Sequence, residues 1–203
     1  KTGLVVARGG ASELFGVRPD IVCLAKALGG GLPCGAVGGT AEVMSAISDG
    51  RYDQVGTFNG NPLTMAVAKT VLAEVLTPGA YRTAEALGRR MFDEATAILA
   101  EHGQPSYGCV FGFKGSVVLH DPPATNYREF LQINTALSHL HYLVQHNGGV
   151  FMAPWAKTES WTLSTMHTDA DADRYLDNVR RLAGLIADVA DRRSDLFEVG
   201  GVT

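Results

Sequence analysis

Lys26 is the residue of this sequence whose position most suggests chemistry. It follows the apolar run Ile21–Leu24, which predicts a buried strand, and it precedes the glycines at 29–31. We expect this lysine to be partly removed from water, which favours a neutral amine, a nucleophile that adds to aldehydes. Glycines have no Cβ and leave room for a flat aromatic cofactor and its phosphate. A solvated lysine before a glycine turn fits the pattern equally well, because glycine loops are common.

A second candidate is the pair Gly56 and Thr57, which precedes a predicted helix start. A threonine hydroxyl and the backbone N–H groups beside a glycine can form a concavity that binds an anion. Asn61 as N-cap and Pro62 at the first helical position predict where the helix begins. By spacing alone, a simple turn before that helix fits as well.

The spacing of the histidines, cysteines and glycines argues against a metal site or a nucleotide-binding site. His139, His141 and His146 lie on one predicted helix, but no two are three or four residues apart, so we expect surface or interface residues rather than metal ligands. The three cysteines include no C-x-x-C pair, which indicates neither a zinc site nor a disulfide framework. Neither a P-loop nor a G-x-G-x-x-G fingerprint occurs, although a phosphate-binding module stays open as an alternative.

Composition excludes further classes. The 203 residues are 46% hydrophobic and carry a net charge of −4, values typical of a globular protein with a core of ordinary size. Since there is no basic cluster, nucleic acid and anionic membranes are not expected as partners. No apolar run reaches the length of a membrane span and no signal peptide opens the sequence, so we expect a cytoplasmic protein.

Hydrophobic periodicity predicts the elements that position these residues. The first part reads as strands joined to helices, with a wide apolar stripe from Leu63 to Val75. A long connecting helix follows from 77–78 to Gly103, and the remainder alternates short strands with helices. The expected strands are 21–24, 35–39, 109–113, 116–120, 150–153 and 161–165; the other expected helices are 12–15, 40–47, 127–146 and one that begins with a capping box at Thr168 and Asp171.

The residues around Lys26 also carry a family resemblance. Pro19 and Asp20, then Lys26, the glycines at 29–31 and the following Gly-Ala-x-Gly-Gly at 35–39, are similar to the internal-lysine motif of class III aminotransferases. Within that family the sequence most resembles the branch that contains glutamate-1-semialdehyde aminomutase. The resemblance implies a Schiff base between Lys26 and pyridoxal 5′-phosphate (PLP).

The resemblance also implies the architecture. We expect an α/β protein of PLP-dependent transferase fold type I. Residues 1–78 would be the C-terminal part of the large, mainly parallel-sheet PLP-binding domain, and residues 79–203 a connecting helix with a smaller α+β C-terminal domain. The chain resembles the C-terminal half of the family's fold, so the contacts to the pyridine nitrogen and ring face are expected before Lys1.

Function and assembly follow from the same resemblance. We expect transfer of an amino group between a small-molecule amine or amino acid and a carbonyl acceptor. The family's Gly-Thr-x-x-x-Asn-Pro segment implies that Gly56 and Thr57 bind the PLP phosphate of the partner in a homodimer with shared active sites. An intramolecular aminomutase remains an alternative, and so does a non-catalytic truncated relic.

The neighbourhood of the Ala-Pro pair at 153–154 differs from that of the aminomutase. Tryptophans stand at Trp155 and Trp161, and no arginine occurs between Arg128 and Arg174 to hold a substrate carboxylate. We therefore expect a substrate with an apolar or aromatic side chain.

Overall fold

The computed structural model describes residues 3–153 and 157–198, with the backbone alone at 159 and 189–198. The chain divides into two compact units, the first ending at Thr83 and the second beginning at Ala84. Each unit is described by itself below.

The first unit combines a short hairpin with helices. Its strands are β1 (Ile21–Leu24) and β2 (Ala36–Gly39), joined by a loop that contains the one-turn 3-10 helix Lys26–Gly29. The helices are α1 (Gly10–Phe15), α2 (Ala41–Ser48) and α3 (Pro62–Thr70); α3 runs into a π-helical turn, Val71–Val75, and α4 (Pro78–Glu101) begins in this unit.

Strands β1 and β2 pair antiparallel, with Ile21 opposite Gly39 and Leu24 opposite Ala36. A Cβ on Gly39 would lie 2.5 Å from the carbonyl oxygen of Asp20, so the close approach of the strands requires glycine there. The prediction of a buried β1 is wrong, since its residues are exposed or half-buried. The physical reason is that a two-stranded sheet covers neither of its own faces.

The core of the first unit lies beneath the 3-10 helix. Leu4, Leu28 and Ala68 are buried together, and the hydroxyl of Tyr81 donates a 2.6 Å hydrogen bond to the carbonyl of Leu4. The predicted stripe on α3 is only partly confirmed, because Leu63 is 66% exposed. Apolar spacing identifies one face of a helix but not how much of that face another element covers.

Helix starts in this unit follow the predicted capping chemistry. The side chain of Asn61 accepts hydrogen bonds from the N–H groups of Leu63 and Thr64, with Pro62 in the first turn of α3. The hydroxyl of Thr40 accepts the N–H of Val43 at the start of α2.

The second unit is an α+β module built on an antiparallel sheet in the order β3-β4-β5. Most of α4 belongs to it. The remaining elements are β3 (Tyr107–Phe111), β4 (Lys114–Val118), α5 (Tyr127–Phe130), α6 (Thr135–Asn147), β5 (Glu159–Thr162) and α7 (Asp169–Glu198). The β1–β2 pair is antiparallel as well, so every strand pair in the described residues is antiparallel. The described residues therefore contain no parallel strand pair of the expected large-domain sheet.

Several predicted boundaries in this unit need correction. All three strands begin two residues earlier than predicted, and 150–153 form no strand. The single helix predicted at 127–146 is two helices, because the side chain of Asn134 accepts the N–H groups of Ala136 and Leu137 and starts a new helix there. The capping box at Thr168 and Asp171 is confirmed in part, since the carboxylate of Asp171 accepts the N–H and the hydroxyl of Thr168 at 2.8 and 3.0 Å, while the N–H of Asp171 donates to the carbonyl of Thr168.

The core of the second unit includes a polar cluster between α6 and α7. Gln145 donates to the carbonyl oxygen of Tyr175 at 3.1 Å, and Asn178 donates to Gln145 at 3.1 Å. His141 lies beside them, with its Nε2 3.4 Å from the Gln145 amide nitrogen, and is 1% exposed. Burial lowers the pKa of His141 to about 4, so the ring is neutral at physiological pH.

No single helix in the described ranges is long and apolar enough to cross a membrane. One bent pair, 62–75 with 78–101, reaches the required length and composition only when both parts are counted together.

Candidate active site

Lys26 stands immediately after β1, at the head of the 3-10 helix, and its φ is +56°. Among the described residues no other non-glycine residue has a positive φ. A side chain in this conformation is crowded against its own backbone, so surrounding contacts must hold it there. The predicted partial desolvation is wrong for this structure, because Lys26 is exposed. The exposed faces of β1 and β2 leave the lysine without a cover in the described residues.

The three glycines after Lys26 have different surroundings. A Cβ on Gly29 would lie 3.0 Å from the Cβ of Cys34, and one on Gly30 would lie 2.6 Å from Cγ2 of Val71. A Cβ on Gly31 would meet nothing within 4 Å. Only Gly31 therefore leaves open space, whereas Gly29 and Gly30 permit close packing of the chain against itself. The expectation that all three make room for a ligand is corrected accordingly.

Gly56 and Thr57 begin a tight turn before α3. The N–H of Asn59 donates to the carbonyl of Gly56 at 2.9 Å, which places Thr57 and Phe58 at the two central positions of the turn. Within the described residues, the N–H groups of Thr57 and Phe58 make no hydrogen bond. All these residues are exposed. The turn thus offers two free backbone donors and a hydroxyl on the surface, groups that suit an anion.

Asn59 is a residue of this turn that the sequence reasoning missed. A Cβ on Gly56 would lie 2.7 Å from the Asn59 side-chain oxygen, so the amide folds back over the glycine. The side-chain nitrogen of Asn59 lies 3.5 Å from the carbonyl oxygen of Gln54. The dipeptide Asn59-Gly60 signals the next turn, in which the N–H of Asn61 donates to the carbonyl of Phe58 at 3.1 Å, and not the fold of Asn59 over Gly56.

An open apolar cleft of about 1010 Å³ lies between the glycine loop and the segment that leads into α3. Leu32, Pro33 and Val37 line one side, and Phe58 and Leu63 line the other. Lys26, Gly56 and Thr57 are not among the described residues that line it. The three predicted site residues are therefore close to cleft residues along the sequence, but none of the three lines the cleft.

The remaining sequence candidates form no second site. Arg8 donates to the carbonyl of Leu72 in the π-helical turn at 3.1 Å. His139 and His146 are exposed, but the expectation of a surface position is wrong for His141, which lies in the core. In the described ranges no cluster of three potential metal ligands occurs, and all three cysteines are free thiols.

The tryptophans proposed to shape the substrate site have different outcomes. Trp161 is 6% exposed and packs edge-on against Tyr175 inside the second unit. It approaches so closely that a Cβ on Gly115 would lie 2.3 Å from its ring. Trp161 is therefore a core side chain of this unit. Trp155 lies outside the described residues.

Comparison with known proteins places this chain in a family. Residues 1–131 match the family model of class III aminotransferases. Similar curated proteins include the glutamate-1-semialdehyde 2,1-aminomutase of Desulfosudis oleivorans, 35% identical over 85% of this chain and 40% of that protein. The enzyme of the same name from Laribacter hongkongensis is 37% identical over 89% of this chain and 42% of its own length.

Solved structures with a similar fold include two transaminases. An omega-transaminase from Sphaerobacter thermophilus superposes with a TM-score of 0.77 at 28% identity, covering 90% of this chain and 42% of the other. A β-phenylalanine aminotransferase from Variovorax paradoxus gives a TM-score of 0.79 at 27% identity, with the same coverage of both chains. These likenesses confirm the predicted fold class, and the described residues form part of the type I architecture.

The chain spans less than half the length of these relatives, 40% and 42% of the two aminomutases. Its match to the family model nevertheless includes Lys26, the glycine loop and the Gly56–Asn59 turn. The agreement of motif, relatives and fold gives one answer: this chain belongs to the class III aminotransferase family.

Proposed function

We propose that this protein is a PLP-dependent aminotransferase that moves an amino group between an amine or amino acid and a carbonyl acceptor. The observation that carries the proposal is Lys26, an exposed primary amine on a strained backbone at the head of the glycine loop, inside the family match. Strained residues cluster at functional sites because the surrounding fold must maintain them.

The described residues fit this cofactor. The amine of Lys26 suits its aldehyde, and the Thr57 hydroxyl with the free N–H groups of Thr57 and Phe58 suits its phosphate. When bound, PLP supplies an aldehyde that exchanges amino groups and a ring that withdraws electrons from the substrate carbon. Lys26 holds the cofactor in the resting enzyme. Once free, Lys26 Nζ would take the proton from the amine-bearing carbon of the substrate as a general base and deliver it to the cofactor as a general acid.

The test uses the protein as its gene encodes it, loaded with PLP and reduced with borohydride. We expect peptide mapping to find the cofactor on Lys26, and amine-dependent turnover with a carbonyl acceptor. Label on a different lysine would contradict the assignment. Label on Lys26 with no turnover for any amine would instead support the non-catalytic alternative.

A second candidate function is intramolecular transfer of the aminomutase type. It is favoured by the relatives at 35% and 37% identity that are named glutamate-1-semialdehyde 2,1-aminomutase. Two substrates separate the candidates: glutamate 1-semialdehyde without an external acceptor, and β-phenylalanine with one, the latter chosen from the named structural relative. Isomerisation of the semialdehyde alone would identify an aminomutase and overturn the main proposal.

We also propose that the protein is a homodimer in which Thr57 contacts the cofactor phosphate held by the other subunit. Support comes from apolar side chains beside Thr57 that are unusually exposed for a monomer, Val55 at 87% and Phe58 at 82%. The cleft lined by Phe58 and Leu63 continues this surface. In the same proposal, residues 1–78 belong to the PLP-binding domain, and residues 79–203 form the connecting helix and the smaller domain.

Co-expression of two inactive variants tests the shared site. A mixed dimer contains one Lys26→Ala subunit and one Thr57→Ala subunit. If each site is built from both subunits, both substitutions fall in the same site and the other site is fully intact. We expect about half of the wild-type activity per mixed dimer, since one of the two sites keeps both residues. If both residues act within one subunit, no intact site forms and the activity does not exceed that of the Thr57→Ala protein. Sedimentation that finds an active monomer would also refute the dimer.

The three free thiols are consistent with a reducing compartment, and we propose a cytoplasmic location. Cell fractionation followed by immunodetection would test it, and recovery in a membrane or extracellular fraction would contradict it.

A further inference from the structure

We infer that Gly30 is a positioning residue for Lys26, because its packing against Val71 sets where the lysine amine lies. The inference rests on the proposed function and deepens it. It assigns to Gly30 a role distinct from making room for a ligand.

Gly30 touches the turn of helix that follows α3. A Cβ at position 30 would lie 2.6 Å from Cγ2 of Val71 and 3.2 Å from Cγ1 of Val67. Val71 is 9% exposed, so its side chain has little free space into which to retreat. Gly30 also has a φ of +55°, a conformation that side chains rarely adopt. The loop can therefore sit against Val71 only if position 30 is glycine.

Gly30 and Lys26 are joined by one short, hydrogen-bonded segment. The N–H of Leu28 donates to the carbonyl of Ala25, and the N–H of Gly30 donates to the carbonyl of Ala27, at 3.3 and 3.1 Å. Leu28 is 5% exposed and packs with Leu4 and Ala68. Because the segment is short and anchored in the middle, a displacement at Gly30 is transmitted to Lys26.

The helical turn against which Gly30 packs is itself held by hydrogen bonds. Val71 is the first residue of the π-helical turn, and its carbonyl accepts the N–H of Leu76 at 2.8 Å. Arg8 donates to the next carbonyl, that of Leu72. Such turns are rare and occur frequently at functional sites. A fixed surface on one side and an anchored loop on the other explain how the left-handed backbone of Lys26 is maintained.

The test compares two cofactor forms on the apoprotein, prepared from the protein as its gene encodes it. PLP can bond to Lys26, whereas pyridoxamine 5′-phosphate lacks the aldehyde and binds without that bond. The rate at which PLP attaches is followed by its visible absorbance and by borohydride trapping, which converts the new carbon–nitrogen double bond to a single bond. Affinity for pyridoxamine 5′-phosphate is measured by calorimetry.

We expect Gly30→Ala to slow attachment of PLP to Lys26 at least about tenfold, since a displacement of roughly 1 Å can cost on the order of a hundredfold. Affinity for pyridoxamine 5′-phosphate should stay unchanged. The double variant Gly30→Ala/Val71→Ala removes the methyl that the new Cβ meets, so it should recover most of the lost rate. Val71→Ala alone should attach PLP nearly as fast as the wild type.

Gly50→Ala is the matched control. Its φ of +71° carries a similar backbone penalty, but a Cβ there would meet nothing within 4 Å. We expect wild-type attachment of PLP in this variant, which separates an effect at Gly30 from a general loss of stability caused by alanine at a positive φ.

Three results would overturn the inference while leaving the proposed function intact. They are wild-type attachment in Gly30→Ala, an equal loss of pyridoxamine 5′-phosphate affinity, and a defect that Val71→Ala does not relieve. A wild-type protein that never forms the bond at Lys26 would instead refute the proposed function.

Discussion

At the scale of single residues, the backbone of Lys26 is the feature that links sequence to chemistry. Lys26 combines a left-handed backbone with an exposed side chain, and a Cβ at Gly31 in the same loop would meet nothing within 4 Å. The strain is compatible with a stable fold because Leu28, two residues on, is buried. The Lys26 side chain therefore lies on the surface of this unit, while its loop is anchored in the core.

Replacing Lys26 with alanine should abolish transamination but leave non-covalent binding of PLP. The expected loss exceeds about a thousandfold, because the variant lacks both the amine that holds the cofactor and the proton-transfer group. Turnover assays and equilibrium dialysis with PLP measure the two effects. Lys69→Ala, at an exposed lysine on α3, is the control and should behave as the wild type. Retained turnover in Lys26→Ala would remove this lysine from the mechanism.

At the scale of elements, capping side chains decided where helices begin. Asn61, Thr40 and Asn134 each accept N–H groups at the first turn of a helix. Asn61 was predicted as a cap and a helix was predicted to begin at Thr40, whereas Asn134 was overlooked because the apolar positions on both sides of it continue one helical period. A cap interrupts a helix locally, and periodicity alone does not detect it.

Asn134→Ala should lower the free energy of unfolding of the second unit by about 1 kcal/mol, the usual cost of removing an N-cap. The hydrogen bonds at stake are those from Ala136 and Leu137, at 2.9 and 3.3 Å. Asn134→Asp retains an acceptor and should cost much less. Urea denaturation measures both variants. Equal stability of the alanine variant and the wild type would show that the cap contributes nothing.

At the scale of the whole molecule, a buried histidine makes folding sensitive to acid. Burial lowers the pKa of His141 to about 4, against 6.5 for an exposed histidine. The residues it meets in the described structure, Gln145 and Tyr175, are uncharged. Above pH 6.5 the ring is neutral in both the folded and unfolded states, and its contribution to stability is complete. As the pH falls from 6.5 to 4, only the unfolded state gains the proton, so stability declines.

We expect this single group to cost about 3 kcal/mol of unfolding free energy between pH 6.5 and pH 4. His141→Gln should lose less stability over that interval than the wild type, whatever its stability at neutral pH. His146→Gln, at an exposed histidine, should keep the wild-type pH dependence. Denaturant unfolding at several pH values measures the difference. Parallel curves for the wild type and His141→Gln would contradict the assignment.

Residue types at fixed spacing were enough to predict the family, the lysine motif and most helix starts. These depend on residue type at fixed spacing along the chain, as in the run from Asp20 to Gly31 or the pair Asn61 and Pro62. Such signals are local, because a cap or a glycine turn acts within a few residues.

Only the tertiary structure decided which faces are covered. In the structure Lys26 and Leu63 are exposed, His141 and Trp161 are buried, and Gly30 packs against Val71. Burial depends on which element lies opposite, and spacing along one helix or strand carries no information about that neighbour. The spacing of histidines or tryptophans along the sequence is therefore the same for surface residues as for core residues. The packing of α6, α7 and β5 decides which of the two they are.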